Sequence, residues 1–341
     1  MAAGPQDGSG RMSISGAKGG DRLGHLDYIR VVCILYVVAY WHLSGYVKQQ
    51  GNRYWLGAIM VAALGTFAMI SGYLVHRRGW PASGGRFLVS RFIRLYPLFA
   101  IAVGLFYLWG MIDQPTAIRS LFLVSLIYPP APVTLWFIVM LLNFDMAYAL
   151  VAWLRKYRFQ WLVYAAIVGG LVLFHLLVHE IDPRLLQYSP AFALGVFVAS
   201  GTLSKRYLLA IAVPVFAASI ALYLTRSLGH TARNIPFVLS TSYLVFAIGA
   251  AVYRPNRLDP VVRVLAYSSY CMYLFHRPVY KSLLKLWTPV SHEMRYVYLL
   301  TVGLFLTIGI AWVVQTLYDR IVAAAGGAWS RNGLSAAKEP D

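Results

Sequence analysis

The chain has 341 residues, of which 59% are hydrophobic and 12% charged, with a formal net charge of +18. A soluble domain carries about 25% charged residues, so this composition excludes an ordinary soluble enzyme and leaves an integral membrane protein. The basicity would suit a nucleic-acid partner, but its placement along the chain argues against one.

Residues 1–23 are polar and Gly/Ser-rich, lack an apolar signal-peptide core and read as a disordered cytoplasmic tail. A membrane-crossing helix needs about 20 mostly apolar residues. Ten such spans are expected, over 27–46, 54–76, 92–112, 134–154, 160–178, 186–201, 207–225, 236–253, 264–286 and 296–320. The transmembrane domain is therefore read over 24–320, with 321–341 as a C-terminal tail and no appended soluble domain. Lys and Arg concentrate in alternate loops, such as Arg155, Lys156 and Arg158 or Arg254, Arg257 and Arg263. The positive-inside rule then puts both termini in the cytoplasm. Most of the basicity is topology, and no nucleic acid is expected.

The first span holds Asp27, Arg30 and His42. Ionisable groups in hydrocarbon cost roughly 2.5–3.5 kcal/mol or more, so they line a protein-filled or wet interior. A neutral imidazole can act as a general base on a hydroxyl. His42 also reads, about evenly, as an interfacial histidine beside Tyr40 and Trp41. In the second span Gly65, Ala68 and Gly72 suit close helix packing, a better reading than a nucleophilic Ser71.

Arg77, Arg78, Arg86, Arg91 and Arg94 follow, in what reads as a cytoplasmic loop. Arg91 and Arg94 share a helix face, and guanidinium forks suit phosphate oxygens. The competing reading is a topology signal that also meets anionic membrane lipids. Residues 117–128, between Pro115 and Pro129, are too short to span and read as re-entrant or interfacial. Trp136 sits at an outer interface, with Asn143 and Asp145 further along its span. His175 and His179 read as a polar helix end rather than a metal site. In the ninth span, Tyr273, His276 and Arg277 precede Pro278, which should kink the helix and free a carbonyl near residue 274. Arg277 reads slightly better as a partner for that broken helix. Cys33 and Cys271 read as packing residues, and no metal is assigned.

Together the stretches LDYIR and His42, FAMISGYLV at 67–75, RFLVSRFIRLYP at 86–97, LWFIVMLLNF at 135–144 and SSYCMYLFHRPV at 268–279 resemble the acyltransferase-3 family of bacterial membrane acyltransferases. The resemblance implies a ten-helix bundle in the cytoplasmic membrane that passes an acyl group, acetyl above all, from cytosolic acyl-CoA to an envelope carbohydrate or glycolipid. It implies His42 as the essential histidine, Arg30 as its partner, Arg91 and Arg94 as the RxxR pair, and Tyr273 and His276 as the late motif. On this reading His276 positions the site, the five loop arginines hold the acyl-CoA phosphates, and Tyr273, Trp136 and Asp27 contact substrate. A carrier or flippase for a phosphorylated lipid or sugar is the rival, weakened by the lack of an inverted repeat.

Two departures stand out. Eleven residues separate Arg30 from His42, where the family has ten. In a regular helix this twelve-step offset puts the side chains about 120° apart. A one-residue π-bulge would restore a common face and push Trp41 aside. The other departure is Leu141, where many members have a glutamate.

Overall fold

The computed structural model describes residues 23–46, 53–154, 166, 169–170, 172–174, 176–177, 181–201, 204–225 and 229–336. Most of the expected fifth span, His175, His179, residues 1–22 and residues 337–341 lie outside these residues; the expected tail from 321 instead continues the last helix as far as Ala336. The described chain is all-helical: α1 Gly24–Tyr46, α2 Arg53–His76, α3 Gly84–Leu108, α4 Gln114–Leu121, α5 Trp136–Leu154, α6 Arg184–Ser200, α7 Lys205–Thr225, α8 His230–Val252 and α9 Asp259–Leu286. α10 begins at His292, passes through a π turn at Leu299–Gly303, and continues over Leu304–Ala336. Among the described residues seven helices are long and apolar enough to cross a membrane. α6 and α9 pack into the same bundle, α9 with a more polar face.

Close packing of α2 on α6 anchors one side of the bundle. A Cβ on Gly72 would meet the Phe192 carbonyl oxygen at 2.0 Å, and one on Gly195 would meet the Met69 carbonyl oxygen at 1.9 Å. Ala68 between them is fully buried. The small-residue stripe is a packing face, as its spacing indicates. Backbone cannot give way as a side chain tip can, so Gly72→Val and Gly195→Val should each lose about 1–3 kcal/mol or more. Gly104→Ala, with open space around it, should be near neutral. Thermal unfolding of purified protein checks both.

Two boundaries differ from expectation. α3 starts at Gly84, because the Ser83 side chain accepts from the Arg86 amide and caps the helix. Arg86, Arg91 and Arg94 are therefore on a helix, and the loop is only residues 77–83. The short segment before α5 forms α4, capped by Asp113 accepting from the Thr116 amide at 3.1 Å. The chain after α4 then dips into the bundle: Leu123, Ser125 and Leu126 are buried. Tyr96 donates to the Leu121 carbonyl at 2.8 Å and Asn143 to that of Leu123 at 3.0 Å. Asn143 thus secures this loop.

Candidate active site

α1 is α-helical over Gly24–Leu35, then opens into a π turn over Tyr36–His42. This is the distortion the Arg30–His42 spacing calls for. One extra residue removes about 100° from the 120° offset. Arg30 donates to Ser269 Oγ at 3.0 Å, and His42 Nδ1 lies 3.0 Å from His276 Nε2. Ser269 and His276 are seven residues, two turns, apart on α9, so Arg30 and His42 both address one face of that helix. Trp41 turns toward Gly57 of α2.

The two imidazoles stack, with centroids 4.8 Å apart and planes 22° from parallel. His276 Nδ1 lies 3.1 Å from the Met272 carbonyl oxygen and 2.9 Å from that of Tyr273. Those oxygens only accept, so Nδ1 carries the proton. In the neutral pair His276 Nε2 therefore accepts from His42 Nδ1–H. The remaining lone pair is on His42 Nε2, the atom a general base must leave unprotonated. This parallels the way hydrogen bonding at one ring nitrogen selects the state of the other.

A cavity of about 570 Å³ opens between α1, α2, α3, α5, α9 and α10, within the usual ligand-pocket range of about 300–1,000 Å³. Arg30, Arg77, Arg78, Arg91 and Arg94 line it, and no aspartate or glutamate does. Arg77 and Arg78 follow the end of α2, Arg91 and Arg94 lie in the first three turns of α3, and Arg30 comes from α1. Deeper in, Ile34, Phe67, Ile70, Phe137 and Leu141 make the wall apolar, and Tyr273 joins them. The Tyr273 ring is 6.1 Å from that of His276, so the apolar end stops one aromatic ring short of the histidine pair.

Arg91 is not simply presented to the cavity. Its Nε donates to Asp145 Oδ2 at 2.9 Å, and its Nη2 to Asp145 Oδ1 at 3.3 Å and Ser71 Oγ at 3.4 Å. Asp145 is fully buried. Leu141, where many family members have a glutamate, does line the cavity; Asp145 puts a carboxylate one turn further along α5.

Besides the histidine pair, three sequence assignments fall outside the cavity. Arg86 is exposed on the first turn of α3 and does not line it. Trp136 is at the far end of α5, its ring covered by the Arg184 guanidinium at 4.2 Å, itself ion-paired with Asp182. Asp27 is one turn before Arg30, half-buried and also off the lining. Conversely, Ser269, Tyr270 and Gln315 line the cavity without having been singled out. The seven-residue spacing to His276 was the available signal for Ser269.

The spanning helices define a multi-pass membrane protein, in which the paired histidines sit one aromatic ring from an arginine-lined cavity. The family model described as acyltransferase domain, acyltransferase-3, matches residues 23–316. The chain belongs to that family and is a membrane acyltransferase. No curated protein and no solved structure matches it.

Proposed function

We propose that this protein is an O-acyltransferase of the bacterial cytoplasmic membrane. It moves a short acyl group, acetyl above all, from cytosolic acyl-CoA to a hydroxyl of an envelope or exported carbohydrate or glycolipid. Both termini and the arginine end of the bundle face the cytoplasm. The observation that carries the reading is the cavity, whose arginine-rich wall gives way to apolar surface one ring away from His42 and His276. That order matches the donor: phosphates first, then the arm bearing the thioester.

The phosphates lie against Arg77, Arg78 and Arg94, with Arg91 held in place by Asp145. The thioester reaches past Tyr273. His42 Nε2 takes the proton of the acceptor hydroxyl as its oxygen attacks the thioester carbon. The carbon–sulfur bond then breaks, the ester forms, and the departing thiolate takes the proton back from His42. His276 keeps the His42 ring in the required tautomer.

A charge-assisted contact is worth about 1.5–3 kcal/mol, tenfold or more in affinity. Arg78→Ala with Arg94→Ala should therefore weaken CoA binding at least tenfold. Arg86→Ala, off the cavity, should leave it within threefold. Titration of purified protein with CoA tests this, and unchanged affinity in the folded double variant removes the cavity as the donor site.

A further inference from the structure

Arg277 has no assigned role, and its setting is unusual for a cation on a spanning helix. The cations Arg91 and Arg184 each meet a carboxylate, Asp145 and Asp182, and Lys281 donates to the Trp109 carbonyl. Among the described residues no hydrogen bond or ion pair reaches the Arg277 guanidinium, and its Nε is buried without a partner. The sequence favoured Arg277 as a partner for the carbonyl released by Pro278. The structure gives it no bond to the α9 backbone, and α9 runs on unbroken to Leu286. Arg277 is half-buried, and an ionisable group on a membrane-spanning helix is a functional position by default.

Its neighbours say what the charge is for. Arg277 directly follows His276, the partner of His42. Tyr273, one turn earlier on the same side of α9, lines the deep end of the cavity. Tyr46, one turn beyond His42 on α1, meets Tyr280 of α9 edge-on at 5.9 Å between ring centroids, and the Tyr280 ring is also 5.9 Å from that of His276. Arg277 thus sits on α9 between His276 and Tyr280, one turn beyond the cavity-lining Tyr273, with a buried Nε–H donor that no acceptor meets.

We propose that Arg277 is a catalytic residue whose guanidinium receives the oxyanion formed when the acceptor hydroxyl attacks the thioester. The inference rests on the acyl-transfer reading above. As the new carbon–oxygen bond forms, the carbonyl π electrons move onto oxygen, and Arg277 donates to that oxyanion. The electrons return as the carbon–sulfur bond breaks, and the thiolate leaves with the proton held by His42. Through this step the oxyanion is the anion that Arg277 lacks at rest. Preorganised donors of this kind act where charge develops.

The test measures thiol release from acetyl-CoA by purified full-length protein, with an uncharged methyl glucoside as acceptor. The variants are Arg277→Met, Arg277→Lys and His42→Ala, each also titrated with CoA to show an intact cavity. Arg277→Met should lower kcat about 10²–10³-fold with the acetyl-CoA KM within threefold. Arg277→Lys, which keeps a donor and the charge, should recover at least tenfold of that loss. Near-normal kcat in Arg277→Met beside an inactive His42→Ala overturns the proposal and leaves the acyl-transfer reading standing. So does a variant that loses only affinity for the acceptor. An active His42→Ala, or a wild-type protein that releases no thiol, overturns the reading on which the proposal rests.

Discussion

His42→Ala is expected to lose about 10²–10⁴-fold in kcat or more, the usual contribution of a general base, while CoA affinity stays near that of the wild type. The two effects separate because His42 is off the cavity wall while the arginines are on it. The loss follows from the hydrogen-bond order. The Met272 and Tyr273 carbonyls fix the proton on His276 Nδ1, His276 Nε2 fixes the proton on His42 Nδ1, and His42 Nε2 keeps the lone pair. His276→Ala frees the His42 ring to take either tautomer but leaves the base itself in place, so its effect should be milder. Steady-state kinetics with CoA titration on the same preparations measures both. A near-active His42→Ala, or the reverse ranking, contradicts the assignment.

Arg91→Ala should unfold the protein more readily, by about 3–5 kcal/mol, before any effect on ligand is considered. It leaves the fully buried Asp145 carboxylate without its cation, and breaking a buried pair from one side is far costlier than replacing both partners. The paired replacement Arg91→Met with Asp145→Leu should therefore recover most of the stability. CoA binding should stay weakened in it, since the guanidinium is still missing from the wall. Thermal unfolding of the two single variants and the double variant gives the coupling directly. Additive losses would show that the pair is not an energetic unit.

Seven of the expected spans were legible because each is a long apolar run whose hydropathy needs no tertiary information. The π turn was legible for a sharper reason: a twelve-step spacing cannot bring Arg30 and His42 to one face of a regular helix. What the sequence hid was side-chain partnership across the bundle. Asp145 is 54 residues from Arg91, and no local pattern announces that they meet. The start of α3 was missed because the arginines suggested a loop, while the Ser83 cap and the apolar residues between them make a helix. Trp136 was given a substrate contact on the family reading, and its cover by Arg184, 48 residues later, was not visible in the sequence. Arg277 was given to its own backbone, and only packing shows that it has no partner there. The unassigned roles thus cluster where distant residues converge.

The most direct test places the purified protein in liposomes with acetyl-CoA carrying a labelled acyl group, and with envelope glycans and lipids as acceptors. Label should become ester-linked to an acceptor hydroxyl while free CoA thiol appears in equal amount, and His42→Ala should abolish both. Passage of intact acetyl-CoA or of a phosphorylated lipid across the bilayer, with the thioester uncleaved, would contradict it.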